Sequence, residues 1–450
     1  MTGYEDFVDL GYRPRPSDLL ASFRIGVPRG ESAERAAGAV AAESSVGTWT
    51  RLRGLCHPHV RRVGARVYAM EREGSAVWAR IAYPLQHFER GNMPQVLASV
   101  AGNVFGMKAV ASLRLQDIRW PRALRDSFPG PRFGIDGVRK AMGVPERPLL
   151  ATVPKPKVGL TTAEHCEIAR QIWTGGLDLL KDDENLAGQR FNPFGRRVAL
   201  ALRIRDRIEE ATGERKDYLV NVTAPTLREM ERRARLVARH GGRYAMVDIL
   251  TTGWLALRSL REACGDLGLA IHAHRAFHAA FTRNPRHGMS MLAVAEIARL
   301  LGADQLHVGT AGAGKLEGAP GEVRQIQVHL AEPPHPPGER RNHRRFSRVP
   351  PNPSLHTLGE EWGAMLPVLP VASGGVHPGI AAPLLGRMGA DLVLQMGGGV
   401  HGHPGGSGAG ARAVRDAVDA FMEGRSPASA ARSSPALRQA LETWGRRRPR

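Results

Sequence analysis

Cysteine is scarce in this chain: Cys56, Cys166 and Cys264 are the only three in 450 residues. Spaced so widely, they fit no zinc pattern and build no disulfide framework, and an odd, sparse set points to a reducing compartment. Long apolar runs are missing too. None approaches the roughly 18 residues that a membrane span needs, so no bilayer crossing is expected. The opening MTGYEDFVDL has neither a basic n-region nor an apolar core, which argues against a secretory signal and for a cytoplasmic protein. Acidic residues are outnumbered, 43 against 63 lysines and arginines, a formal net charge of +20. That balance favours anionic partners: nucleic acid, a membrane surface or phosphorylated metabolites. Aromatic residues make up only 6% and no nucleic-acid motif is present, so neither nucleic acid nor membrane is the expected partner. What is present, 42% hydrophobic and 24% charged residues, is the ordinary make-up of a globular chain with a real core.

The chain changes rhythm near Phe128-Pro129-Gly130-Pro131, a strong turn signal and a plausible boundary. Residues 1–135 read as a smaller α+β domain, with a strand at Leu19–Val27, an Ala-rich helix at Glu31–Ser44, strands near Val67 and over Ala76–Tyr83, and a helix from Pro94 to Met107. Residues 136–450 alternate short apolar runs with helical patterns. Eight runs stand out: Leu149–Val153, Leu177–Leu180, Tyr218–Val222, Tyr244–Ile249, Leu267–His272, Gln305–Val308, Met365–Val371 and Asp391–Gln395. Thr226–Arg239 and Met289–Leu301 are among the helices between them. The count and spacing fit an α/β fold with a (β/α)8 TIM barrel, closed by a C-terminal helical extension and a basic tail. A doubly wound open sheet is the competing reading, because periodicity does not show closure. The segment 331–353, with seven prolines and five arginines, reads as a loop.

Polar residues and glycines collect at the ends of these runs, which a barrel would gather on one face. In Lys181-Asp182-Asp183-Glu184, two carboxylates follow a buried strand, a donor set for a hard ion such as Mg2+. The lysine among them is odd, since an ammonium competes with a metal. Lys155 and Lys157 stand at strand spacing, where each lowers the other's pKa toward acid–base use. His274 and Arg275, with His272 before them, combine proton transfer with anion binding. The run from Gly309 to Lys315 matches G-x-x-x-x-G-K, but Leu316 follows where a P-loop needs Ser or Thr. A Gly-rich loop that delivers Lys315 to a site fits better. Ser373-Gly374-Gly375 and Gly397-Gly398-Gly399 end the seventh and eighth runs, where barrels often bind phosphate; two such sites suit a substrate phosphorylated at both ends.

Taken with AAESSVGTWT, GNVFGMKAV, PKPKVGL, GGLDLLKDDEN, HAHRAFHA, LHVGTAGAGKLEG, PVASGG and LQMGGGVHGHPGG, these motifs resemble the large subunit of ribulose-1,5-bisphosphate carboxylase/oxygenase (RuBisCO), nearest the form III, archaeal type. The resemblance runs in order through nearly the whole chain. It implies a Mg2+-dependent lyase that fixes CO2 on ribulose 1,5-bisphosphate, giving two 3-phosphoglycerates with O2 as a competing substrate, linked to AMP and nucleoside metabolism. A RuBisCO-like enolase or isomerase of a related sugar phosphate is the alternative. On this resemblance Lys181, carbamylated by an activator CO2, holds Mg2+ with Asp183 and Glu184. Lys155, tuned by Lys157, assists enolisation and protonates product; His274 moves protons; Lys315 polarises the incoming CO2; Glu43 and Asn103 complete the catalytic set. Arg275, His307 and Ser373 bind one phosphate, Thr48, Trp49, Gly375, Gly397 and Gly398 the other, and Gly374 is a further substrate-binding residue. A homodimer or a ring of dimers is implied, because in the family the N-terminal domain reaches a partner's barrel. The departures are Pro154 before Lys155, Val400-His401 after the glycine triplet, and the segment 331–353.

Overall fold

The computed structural model describes residues 3–50, 57–315, 318–331, 348–445 and 447. In chain order the strands are β1 (Leu19–Gly26), β2 (Arg66–Glu73), β3 (Ala76–Tyr83), β4 (Ser112–Arg119), β5 (Leu149–Thr152), β6 (Leu179–Lys181), β7 (Asp217–Asn221), β8 (Tyr244–Asp248), β9 (Ala270–His274), β10 (Gly288–Met289), β11 (Gln305–His307), β12 (Arg348–Val349), β13 (Glu360–Glu361), β14 (Leu369–Ser373) and β15 (Val393–Met396). They belong to two compact units. One takes Met1–Pro129, Phe277–Leu300 and Asn342–Met365; the other takes Gly130–Ala276, Leu301–Arg341 and Leu366–Arg450. The division is therefore not the contiguous 1–135 and 136–450 expected from the turn at 128–131. Backbone pairing explains the difference: β10 lies parallel to β4, with Met289 opposite Leu115. Most of the segment 331–353 lies outside the described residues, as does Cys56; Cys166 and Cys264 are buried free thiols.

In the first unit the sheet order is β10-β4-β1-β3-β2, with β1 antiparallel to both β3 and β4. The Ala-rich helix runs over Ala33–Glu43, and the Ser32 side chain accepts from Arg35 N–H to cap it. Its small residues let the turn Tyr4–Phe7 lie close: a side chain at Gly38 would meet Tyr4 O at 2.1 Å. The helix expected from Pro94 to Met107 is shorter. It spans Met93–Val100, and a 3-10 turn follows at Asn103–Gly106. Gly102 breaks it, with a backbone away from helical values and no room for a Cβ beside Ala98 O.

In the second unit eight strands close in the order β11-β14-β15-β5-β6-β7-β8-β9, every pair parallel. Closure excludes the open-sheet reading. All eight expected runs contain a strand, with shifted edges: β9 reaches His274 and β14 reaches Ser373, because the preceding segments extend further than periodicity suggested. The helix Trp254–Asp266, for example, is capped only at Leu267. Leu149, Leu179, Leu219, Met246, Leu369 and Val393 form the packed interior.

A buried polar cluster ties the second and third strands to the helix Phe194–Thr212. Arg197 donates to Tyr218 OH at 3.0 Å, to Asn192 O and Ala187 O at 2.8 Å each, and to Asp182 Oδ2 at 3.3 Å. Arg197 and Asp182 are both fully buried. Replacing Arg197 by Met would leave the Asp182 carboxylate without its counter-charge, a loss of about 3–5 kcal/mol. A clear fall in the calorimetric unfolding temperature is the expected result.

Candidate active site

Lys155, Lys157, Lys181, Asp183, Glu184 and His274, all singled out along the sequence, gather where β5, β6 and β9 end. Lys181, the last residue of β6, has a fully buried side chain whose Nζ donates to Asp182 O at 2.8 Å. Burial lowers its pKa, against the pull of Glu184, Asp248 and Asp183. Lys155 Nζ lies 3.3 Å from Asp183 Oδ2, and Lys157 Nζ 3.4 Å from Glu184 Oε1. Burial lowers the Lys155 pKa as well, with Asp183 working the other way. Burial alone would raise Glu184, but the charges of His274 and Lys181 hold its carboxyl down at about 2. It is an anion throughout the working range. Asp182 contributes its backbone oxygen to Lys181, while its side chain points into the Arg197 cluster.

The donor set can be tested for a metal. Asp183 and Glu184 offer oxygens that already draw two lysines and a histidine (His274 Nε2 is 3.7 Å from Glu184 Oε2). Lys181 as an amine offers no oxygen, so a hard ion gains its third ligand only if that amine carries a carboxylate. With a carbamate there, the set is all oxygen and anionic, and it fits Mg2+.

A second group lies on β9, β11 and β14. His307 Nδ1 is 2.8 Å from Ser373 Oγ, and its Nε2 is 2.9 Å from His272 Nε2. His272 Nδ1 reaches Gln305 Oε1 at 2.7 Å. Burial pushes both imidazoles far below the usual histidine range, so they are neutral hydrogen-bonding groups. Arg275 is buried beside them without a hydrogen-bond acceptor among the described residues, and burial brings its pKa down to about 10. The charge of the Glu322 carboxylate pulls its pKa the other way.

The glycines are placed by contact. A side chain on Gly314 would strike Gly374 O at 2.0 Å, and Lys315 N donates to the same oxygen at 3.1 Å. This seats the Lys315 loop on the turn after β14, where Gly374 and Gly375 both have positive φ. The Lys155 stem lies over Gly397, whose missing side chain would come 3.1 Å from Lys155 Cε; beside Gly398 the space is open. Glu43, Thr48, Trp49 and Asn103 belong to the other compact unit. There Glu43 accepts from Tyr4 OH at 3.1 Å, Thr48 is half-buried, Asn103 is exposed, and Trp49 is 82% exposed.

Family models agree with this architecture. The model described as ribulose bisphosphate carboxylase large chain, N-terminal domain, matches residues 6–124, and that for the catalytic domain matches residues 134–444. The chain belongs to the ribulose bisphosphate carboxylase large chain family. It is 48% identical to the ribulose bisphosphate carboxylase of Pyrococcus abyssi over 99% of this chain and 98% of that protein. The same enzyme of Methanosarcina acetivorans is 46% identical over 98% and 99%. Among solved structures, an octameric Rubisco from Pyrococcus horikoshii superimposes with a TM-score of 0.88 at 48% identity, covering 98% and 97% of the two chains. A dimeric archaeal Rubisco from Hyperthermus butylicus gives 0.89 at 45%, covering 99% and 100%.

Within this family member, sequence reasoning missed Asp248. It ends β8 directly opposite His274 in the strand register, and its Oδ1 lies 2.7 Å from His274 Nδ1. The carboxylate only accepts, so the shorter contact puts the proton on Nδ1, in place of the 3.3 Å approach of Ala276 N–H to that nitrogen, and Nε2 is left to exchange one. Burial and Lys181 lower the His274 pKa, and Asp248 raises it. Pro154 turns out to sit past the last paired residue of β5, and Val153 N still donates to Met396 O at 3.4 Å, so no ladder bond is lost. Asp248→Asn should lower the His274 pKa further, by about 1–3 pH units, because the stabilising charge is gone. Titration of 15N-labelled histidine by NMR reads this directly, and an unmoved pKa would overturn Asp248's assignment.

Proposed function

We propose that this chain carboxylates ribulose 1,5-bisphosphate, yielding two molecules of 3-phosphoglycerate, with O2 competing for the same intermediate. The observation that carries the reading is the rim of the barrel. A buried lysine stands with two carboxylates, a second lysine and an oriented histidine, next to the group formed by Ser373 with the buried His307 and Arg275.

Each residue's part follows from its placement. Lys181 Nζ, kept short of protons by burial, is a nucleophile for CO2; as the carbamate it would hold Mg2+ together with Asp183 and Glu184. The ion, when bound, supplies Lewis-acid polarisation of the sugar oxygens. Lys155 Nζ, with Lys157 alongside, moves a proton during enolisation and returns one to the product carbon. His274 passes protons through Nε2 while Asp248 fixes the ring. Arg275, His307 and Ser373 grip one phosphate. Gly374, Gly375, Gly397 and Gly398 leave room for the other, which Thr48 and Trp49 of a second copy would meet. Lys315 Nζ comes over the carboxylate that forms when CO2 adds.

The RuBisCO-like alternative needs the metal and a base but not Lys315, Arg275, His307 and Ser373 together; their joint presence favours the carboxylase. Relatives described as dimeric and octameric support a homodimer or a ring of dimers, with Glu43 and Asn103 serving a partner's barrel. Among the described residues no helix is long and apolar enough to cross a membrane.

The decisive experiment is incubation with labelled bicarbonate, Mg2+ and ribulose bisphosphate; labelled phosphoglycerate is expected, and its absence would sink the reading. Activation should rise with pH through the lowered Lys181 pKa, since only the neutral amine takes up CO2, and Lys181→Arg should abolish it. Lys315→Ala should lose carboxylation yet still exchange the substrate's C3 proton with solvent, because its charge is needed where the new carboxylate develops. Mixing Asn103→Ala with Lys181→Ala chains should restore part of the activity through hybrid sites, and fully active monomers in sedimentation would refute the shared-site assembly.

A further inference from the structure

One of the sequence departures, His401, lies inside the barrel's last seam rather than on its surface. It ends the short helical turn Gly398–His401 that follows β15, and most of its ring is buried. Its Nε2 is 3.0 Å from Thr152 Oγ1, the fully buried last residue of β5. Its Nδ1 is 2.9 Å from Ser407 Oγ, at the start of the helix Gly406–Met422. The register puts Met396 opposite Thr152 across the same seam. Three residues beyond Thr152, Lys155 leaves the strand and lays its stem on Gly397. The ring thus ties the strand that launches Lys155 to the glycine turn on which Lys155 rests. Burial, and then the nearby Lys155 charge, hold the imidazole at about 4, so it is a neutral hydrogen-bonding strut at working pH.

We propose that His401 is a positioning residue for Lys155, acting through its hydrogen bond to Thr152 across the β15–β5 seam. The proposal rests on the carboxylase reading only in naming the reaction that Lys155 serves. Without the strut, the Thr152 hydroxyl loses a buried partner, and the segment Thr152–Lys155 is free to shift relative to Gly397. The proton transfers of Lys155 suffer first. Arg275, His307 and Ser373 stand at the ends of other strands, and substrate affinity through them is little changed.

A double-mutant cycle tests this with the full-length enzyme activated by CO2 and Mg2+. Exchange of the substrate's C3 proton and carboxylation are followed for wild type, His401→Leu, Thr152→Val and the double variant, with thermal melting to confirm folding. Each single variant should lose about tenfold in kcat, the size one unmade buried hydrogen bond carries into a barrier. KM for the bisphosphate should stay within about twofold, and the double variant should lose no more than either single, because both remove one interaction. His401→Gln, whose amide can reach Thr152 as Nε2 does, should recover most of the rate. Independent, multiplying losses, or a Gln variant no better than Leu, would overturn the proposal. A wild type with no carboxylation would instead overturn the functional reading, and the exchange measurement would then still report on His401 and Lys155.

Discussion

A lysine held without water beside two carboxylates is the constraint on which the site depends. Charged groups leave water at a cost of several kcal/mol unless they find partners, and the barrel end meets that cost by packing opposite charges together. Lys181 is sealed in and pushed toward its neutral form; Asp183 is buried; Glu184 is kept anionic by its neighbours. Lys155 and Lys157 are drawn onto the same oxygens. Remove the carboxylates and the lysines repel each other. Remove the lysines and the carboxylates are left with Asn185 and His274 beside them. Of these groups only Lys181 and Asp183 are sealed from solvent; Lys155, Lys157 and Glu184 keep part of their charge in water.

The barrel supplies that crowding. Eight parallel strands must all end on one side, and closure brings β15 back to β5, so residues from the far ends of the sequence face each other within one seam. The adjacent group on β9, β11 and β14 solves a different problem. It keeps two imidazoles neutral in a row from Gln305 to Ser373, beside the buried Arg275, whose charge is opposed by burial and favoured by Glu322. Two neighbouring surroundings on one rim therefore differ in charge, carboxylates crowded with lysines at β6 and neutral imidazoles beside an arginine at β9 and β14.

How much of this was legible depended on whether the chemistry is local along the chain. Lys181, Asp183 and Glu184 lie within four residues after an apolar run, so composition and position reveal them together. The glycine pairs were readable for the same reason. Asp248 was not, because it looks like any strand-end acid until the β8–β9 register sets it against His274. Gln305 and His401 were hidden likewise, since their partners lie 33 and 249 residues away. The discontinuous first unit could not be read either: β10 is only two residues long and has no alternating pattern, and its pairing with β4 is a tertiary fact. The helix over 94–107 failed locally, at one glycine whose neighbour's carbonyl fills the space a side chain would need.

Asp182 and Asp183 show how alternation turns one short string into two structures. Adjacent residues at the end of a strand face opposite sides. Asp183 faces the barrel mouth and meets Lys155; Asp182 faces outward, where Arg197, Tyr218 and the Asn221 amide satisfy it. The outward half is stabilising because its charge is fully answered within the protein. The inward half has Asn185 on one oxygen and Lys155 on the other, and its counter-charges are lysines at the barrel end. Holding the first half rigid keeps the second from relaxing into a similar closed network. A Lys-Asp-Asp-Glu run thus builds an anchor and a reactive site from consecutive residues, and the fold separates them by the pleat of one strand.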